Sequence, residues 1–527
     1  MKIKKVFIFV FLTVLSVLIF SKTVLAADNT ITIWVGSESK TFYLDELNNG
    51  YKAYYKETTG EDFPYSFDVV GVDTGSAADT YLKDPEAGAD IFTVAHDNLG
   101  KLLDGAGTID PITNQALIDQ MDVQNTDAFM NAVYLQGGDG ATNYYAVPYI
   151  AQALVLYYKE SLFPDKTKLE TWEGIMDVAK TNNAMATSFN GTDGFNYSLF
   201  LLAQPKSQDA KAAFGASGTL KIYKNGSQTN CFNWGDDQIA IQKYAQRFTL
   251  DRNGRNGLLV TSDGYGTELK TGAAITMVGG AWVKGQIISS LGTDWNVTSL
   301  PSFTLKEEDA YGTAVAGMEF WSGTFADCKC FVKKKGSAYA QYLDDILKYL
   351  SSDEVQLKSY NECDNLPSSK NVVLPENPDD PKKYALAAAQ KASAEHGIPQ
   401  PFGVKAKYNQ YYYSAGAPAM YEAISCNTAG AYDSDLRIKR KLQEACYIWT
   451  HGKAAPTDES AATAKNPTLN TWLTDLGYEV EIDPRDVETK KKGCGSSVAT
   501  GSAVLVTTLS FIAIALIAMK LTKKKQY

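Results

Sequence analysis

Three short apolar segments, Ile31–Val35, Phe67–Val72 and Asp90–Ala95, constrain the fold more than any other feature of this chain. Each is short enough for a buried strand, and the first ends at Gly36. Between the first two, Leu44, Leu47, Tyr51 and Tyr54 recur every three or four residues. That spacing predicts a helix from about Thr41 to Thr58 with one apolar face, and Gly60 stands where a helix C-terminal glycine belongs. Ala77–Lys83 reads as a further short helix before the third strand. Strands joined through helices require right-handed crossovers, and hence a parallel α/β sheet.

The pattern recurs downstream. Tyr144–Val147 and Ala153–Tyr158 are strand-like, with Pro148 marking a break between them. A helix opens at Thr171, and Ala273–Val278 and Asn296–Leu300 read as strands closed by Gly279-Gly280 and Pro301. Ala338–Leu350 carries an apolar helical face, Pro375–Lys383 reads as a loop, and from about Ala454 the composition shifts to that of a stalk. No internal repeat is visible.

The two ends read as an address and an anchor. Met1–Ala26 has a lysine-rich start, an apolar run over Val6–Phe20 and small residues before a cut at Ala27, as a secretory signal does. Val498–Met519 holds 22 uncharged residues, enough to span ~30 Å of hydrocarbon, and is followed by Lys520, Lys523, Lys524 and Lys525. Basic residues stay inside, so the long N-terminal part is expected outside the cell. The whole chain has 50 basic and 60 acidic residues; without the signal and tail, 42 basic face 60 acidic. That balance argues against a sequence-independent nucleic-acid binder. Seven cysteines, six of them in the globular part, are compatible with disulfides in an exported chain, but spacing does not pair them.

Enzyme signatures are missing: there is no Gly-x-Ser-x-Gly elbow, phosphate loop, dinucleotide glycine motif or His-Glu-x-x-His. Three histidines do not suggest a His-rich metal site. Asp251–Gly257 starts like a calcium loop but places Arg255 at a ligand position. No cofactor and no metal is expected. No spacing singles out a carboxylate pair for glycoside hydrolysis.

Seven ordered segments carry a resemblance. They are Ile31–Glu38, Ala89–Gly100 with its Ala95-His96-Asp97 turn, Tyr145–Lys159, Thr171–Glu173, Ala274–Trp282, Asn296–Pro301 and Tyr349–Glu354. Together they make the chain resemble the extracellular solute-binding proteins of carbohydrate ABC importers, most of all the maltose/maltodextrin-binding proteins. The resemblance implies a two-lobed periplasmic-binding-protein-like α/β fold, each lobe a mostly parallel sheet flanked by helices, with the C-terminal transmembrane helix beyond it. It implies lobe I over 27–149 and 302–350, and lobe II over 150–301 and 351–453. The stalk follows over 454–497, the span over 498–519 and a cytoplasmic tail over 520–527. Crossings between the lobes are expected near Pro148–Ala153 and Thr298–Pro301, and closure on ligand by a hinge motion.

The same resemblance implies ligand-binding residues. Asp97 matches the acidic residue that hydrogen-bonds sugar hydroxyls, and a carboxylate accepts such bonds strongly. Glu38 matches an acidic position after the first strand. Gln152 replaces an acidic hinge residue, and its amide both donates and accepts. Phe195, Trp282 and Tyr412, from the Tyr411–Tyr413 cluster, are candidates to pack on sugar C–H faces. Each has an ordinary use as well: Asp97 as a helix cap, Gln152 on the hinge backbone, Glu38 in a surface loop, and the aromatics in a core. The implied protein is a membrane-anchored, monomeric, non-catalytic subunit that captures a maltodextrin-like oligosaccharide outside the cell and hands it to permease subunits. A surface glycosidase, a receptor for another solute, and a sensing or adhesion protein are the alternatives.

Overall fold

In the computed structural model of the chain, residues 29–105, 107–189, 194–209, 236–248, 259–261, 267–376, 380–399 and 453–477 are described, with 440, 443, 444, 447, 451 and 480. The expected signal, span and tail, Tyr412 and Asp251–Gly257 lie outside them. Among the described residues no helix is long and apolar enough to cross a membrane.

The chain begins with Thr30–Val35 (β1), Ser66–Gly71 (β2) and Ile91–Ala95 (β3), the three expected strands. Inward residues Ile31, Ile33 and Val35 are fully buried, and Ile91, Phe92 and Val94 make β3 wholly internal. The expected first helix forms as Lys40–Asp45, a π-helical Glu46–Tyr51 and Lys52–Thr59, ending on left-handed Gly60. Val147–Gln152 (β4) follows. Pro148 does not break it. The proline sits inside the strand, where the ladder to its partner slips by one residue, a place where a missing N–H is tolerated.

The chain then crosses to a second sheet made of Val155–Tyr158 (β5), Met185–Phe189 (β6), Leu259–Thr261 (β7), Ala274–Gly279 (β8) and Asn296–Thr298 (β9). Between β6 and β7 runs helix Gly194–Leu201 (α1), and after β8 comes Lys284–Leu291 (α2). The expected crossing at Thr298–Pro301 is not there. After Pro301 the chain enters a hairpin, Ser302–Thr304 (β10) with Glu319–Trp321 (β11), whose Phe303 and Phe320 pack in the second core. The return crossing comes later, at Ser322–Thr324. It leads into Phe325–Lys333 (β12), which rejoins the first sheet. At this point the Leu154 N–H donates to buried Thr324 Oγ1 at 2.9 Å, tying the two crossings together.

Helix Asp353–Cys363 (α3) packs on the first lobe through Val355 and Tyr360. Pro381–Ala394 (α4) puts Leu386 and Ala389 against β5 and the second lobe's outer core. The reading of Pro375–Lys383 as loop is corrected at its end. Asp380 caps α4 by accepting from the Lys383 N–H at 3.1 Å, and Pro381 opens the helix, where its fixed φ fits and no N–H is needed. Ile398–Pro399 (β13) then pairs with the start of β12.

The order of the first sheet is β13-β12-β3-β1-β2, with β4 also on β12; that of the second is β7-β6-β8-β5-β9. Both are mixed rather than mostly parallel. Strands β12 and β5 enter their sheets from the crossings, so they run against β3 and β8. The sequence reading put 302–350 in lobe I and 351–453 in lobe II. Packing sets Phe303, Leu305, Ala314 and Phe320 in the second core and Val355, Tyr360 and Leu366 in the first. The start of the expected stalk also packs: Leu469–Asp475 is helical, Leu473 is buried and Trp472 lies against the second core.

Candidate functional site

In an open α/β sheet, ligands bind beyond the carboxyl ends of the strands. Two candidates stand at such ends in the first lobe. Glu38 lies in the 3-10 turn Ser37–Ser39 after β1, with its carboxylate folded over Gly36, where a side chain would collide with it. Asp97 lies in the turn His96–Asn98 after β3. Asp97 is not a helix cap: no side-chain cap bond forms in that turn or at the helix after it, and its Oδ1 accepts from Asn98 Nδ2 at 2.9 Å. Gln152 is the last residue of β4, half-buried beside the crossing.

These three meet on one strand that the sequence reading did not select. Asp327 of β12 is the register partner of Gln152. Its buried carboxylate pairs with Nδ1 of the fully buried His96, whose ring nitrogen also lies 3.2 Å from the backbone of Cys328. Two residues on, Lys329 Nζ is 3.7 Å from the Glu38 carboxylate. Two residues before, the Phe325 ring is 5.8 Å from that of Phe195. The charges inside Phe-Ala-Asp327-Cys-Lys329-Cys-Phe-Val were the available signal, since buried charges need partners.

The second lobe supplies rings. Phe195 sits in the first turn of α1 and packs in part on the second core. Trp282 lies in the 3-10 turn Ala281–Val283 after β8 and is 44% exposed, so it is not a core residue. The two rings meet edge-to-face at 5.4 Å and 72°. Gly280 allows this: a side chain there would strike the indole. The structure thus brings Glu38, Asp97, Gln152, Phe195 and Trp282 around the first half of β12.

Electrostatics divide the carboxylates. Burial opposes charge on His96, but Asp327 outweighs it and holds the imidazole protonated well above its usual range. Burial, then the Asp327 charge, push the Asp97 carboxyl up to about 7, against the pull of His96 and Lys101. On the core face of β12, Cys328 and Cys330 are free thiols with sulfurs 3.5 Å apart, and Cys363 is also free. The other four cysteines lie outside the described residues. Chemically, the arrangement offers acceptors and an amide on one side and ring faces on the other.

Residues 51–389 match the model of a family described as bacterial extracellular solute-binding protein. Comparison with curated proteins finds no match. Among solved structures, a maltodextrin binding protein, MalE1 of L. casei BL23, without ligand, aligns with a TM-score of 0.59 at 17% identity, over 79% of this chain and 98% of its own. An extracellular solute-binding protein of Staphylococcus aureus in complex with maltose aligns at 0.56 and 19% identity, over 80% and 97%. The maltose-binding periplasmic protein MalE of Listeria monocytogenes, also with maltose, aligns at 0.56 and 15%, over 80% and 97%. At these identities the likeness is one of fold.

Proposed function

Because this chain belongs to the bacterial extracellular solute-binding proteins, we propose that it is the membrane-anchored, monomeric binding subunit of an ABC importer for a maltodextrin-like oligosaccharide. The observation that carries the sugar reading is the pairing of surfaces around β12: carboxylates and an amide from one lobe, and from the other an edge-to-face ring pair whose indole is exposed. Sugars present hydroxyls at their rims and C–H faces between them, and this combination suits both. Two solved relatives of the same fold hold maltose. In this reading Asp97, Glu38 and Gln152 take hydroxyls, Phe195 and Trp282 take ring faces, and Tyr412 adds a further aromatic. The lobes close about Ala153–Leu154 and Ser322–Thr324, and no bond in the ligand is broken. The signal Met1–Ala26 exports the chain, and Val498–Met519 holds it beside the permease subunits, raising effective concentration as a tether does.

Thermal unfolding of the chain against sugars, peptides and polyamines tests the ligand. A ligand at 100 times its dissociation constant adds ~2.7 kcal/mol. Maltotriose or maltotetraose is expected to raise the transition; a shift from a peptide or polyamine alone would overturn the carbohydrate reading. Deleting 498–527 is expected to release the protein from membranes; retention would remove the anchor.

A further inference from the structure

One cluster of charges outside the ring pair joins the two lobes. Asp364 follows α3, and its two carboxylate oxygens take one lysine each. Oδ2 is 2.5 Å from Lys284 Nζ and Oδ1 is 3.0 Å from Lys383 Nζ. Asp364 belongs to the first lobe. Its helix packs there through Tyr360, and the neighbouring Asn365 donates from Nδ2 to Ser39 Oγ at 3.1 Å, beside Glu38. Both lysines belong to the second lobe. Lys284 opens α2, whose Ile287 is in that lobe's outer core, and Lys383 lies in the first turn of α4, whose Leu386 is in the same core.

Three features set this cluster apart from ordinary surface pairs. The lysine side chains are only 18% and 13% exposed, so salt screens them less than free surface charges. Burial raises the Asp364 carboxyl, yet the two ammonium groups outweigh it and keep it below the usual carboxylate range. Asp364 is also left-handed, at φ 59 and ψ 20. Glycine or asparagine would suit that backbone better, so the local conformation does not call for a carboxylate.

Lys284 is two residues from Trp282, and Trp282 sits in the short turn leading directly into α2. One short turn therefore carries both the indole and the ammonium. We propose that Asp364, Lys284 and Lys383 form an interlobe latch that holds the lobes together and ties the affinity of the site to ionic strength. Asp364 and Lys284 are then positioning residues, acting on the ligand only through the closed fraction. The proposal rests on the reading that the lobes close on a ligand.

The test uses the full chain, its D364N and K284Q variants, and K284R, which keeps the charge. Asparagine tolerates left-handed backbone, so D364N removes the charge without disturbing the turn. The first readout needs no ligand: hydrogen exchange of the Leu154 amide at the crossing and of Ala281–Lys284, at 20 mM and 500 mM NaCl. D364N and K284Q are expected to exchange faster than wild type at low salt, K284R to match wild type, and high salt to erase the differences. The second readout is maltotetraose affinity by calorimetry. The expected loss in D364N is roughly three- to tenfold at low salt, with a flat salt dependence. If D364N and K284Q exchange as wild type does at low salt, the latch is overturned. If exchange responds but maltotetraose does not bind, the sugar assignment fails and the latch stands.

Discussion

The first lobe brings Glu38 and Asp97 on strand-end turns and Gln152 at the end of β4, whereas the second brings two rings, Phe195 and Trp282. The supports differ as much as the groups. Asp97 adjoins a buried histidine–aspartate pair, so its charge depends on partners from β12. Trp282 rests on a short turn beside a glycine and keeps nearly half its surface open. A hydrogen-bonding group has to be held in direction, and holding it requires buried polar partners that are costly to disturb. A ring face contributes area and tolerates a looser mount. The polar side is therefore expected to couple binding to stability, and the aromatic side to leave the two separable.

The sharpest way to break this contrast is Asp327→Ala. It strands a buried, protonated His96, and losing one partner of a buried ion pair costs about 3–5 kcal/mol. Urea unfolding is expected to show that loss; wild-type stability in the variant would mean that the polar side is no more tightly supported than the aromatic one. Trp282→Ala is the counterpart. Its stability change is expected to stay within about 0.5 kcal/mol, while maltotetraose binding weakens by about 2 kcal/mol, roughly 30-fold. Calorimetry that finds unchanged affinity, or unfolding that finds a large stability loss, would reverse the assignment of roles.

The contrast also tracks what could be read from the residues. Strands β1 and β3 were legible because apolar runs with glycine or turn punctuation need no distant partner to be recognised. The turns carrying Glu38 and Asp97 followed from those strand ends. The strand β12, on which the candidates converge, was not legible. Asp327 and Lys329 interrupt its apolar pattern, and their partners His96 and Glu38 lie far away in sequence, the contact from His96 to Cys328 spanning 232 positions. No local window registers such compensation. Pro301 was correctly a strand end, but a proline does not say which sheet the next strand joins; Phe303 and Phe320 decided that by packing in the second core. Pro381 was hidden for a related reason, since a proline can equally extend a loop or open a helix, and the Asp380 cap selects the second.

Asp97 allows a finer test through pH. Its carboxyl is raised from 3.8 to about 7 by burial first and the Asp327 charge second. A carboxyl raised in the folded state holds its proton more tightly there than in the unfolded chain. Its contribution to stability is therefore greatest below the unfolded value and is lost as pH climbs toward the folded one. Asp97→Asn carries no charge and escapes that loss. Wild type and variant should converge in stability near pH 4 and part as pH rises, with wild type the less stable by pH 8. Thermal unfolding across that range checks the sign. Parallel curves would place Asp97 in an environment no different from water. Maltotetraose affinity should move the other way in wild type, strengthening over the same window as the carboxylate ionises.

Glu38 should give the smallest effect, and for a reason internal to the first lobe. Its carboxylate is 57% exposed and reaches Lys329 only at 3.7 Å, so water already satisfies most of it. Such a pair contributes about 0–1 kcal/mol. Glu38→Gln is expected to leave stability unchanged and to weaken maltotetraose binding less than Asp97→Asn does, by about threefold or less. A loss as large as that of Trp282→Ala would mean that ligand binding buries Glu38, making it as dependent on its surroundings as Asp97. In that case the difference between supported and open groups would belong to the ligand-free state alone.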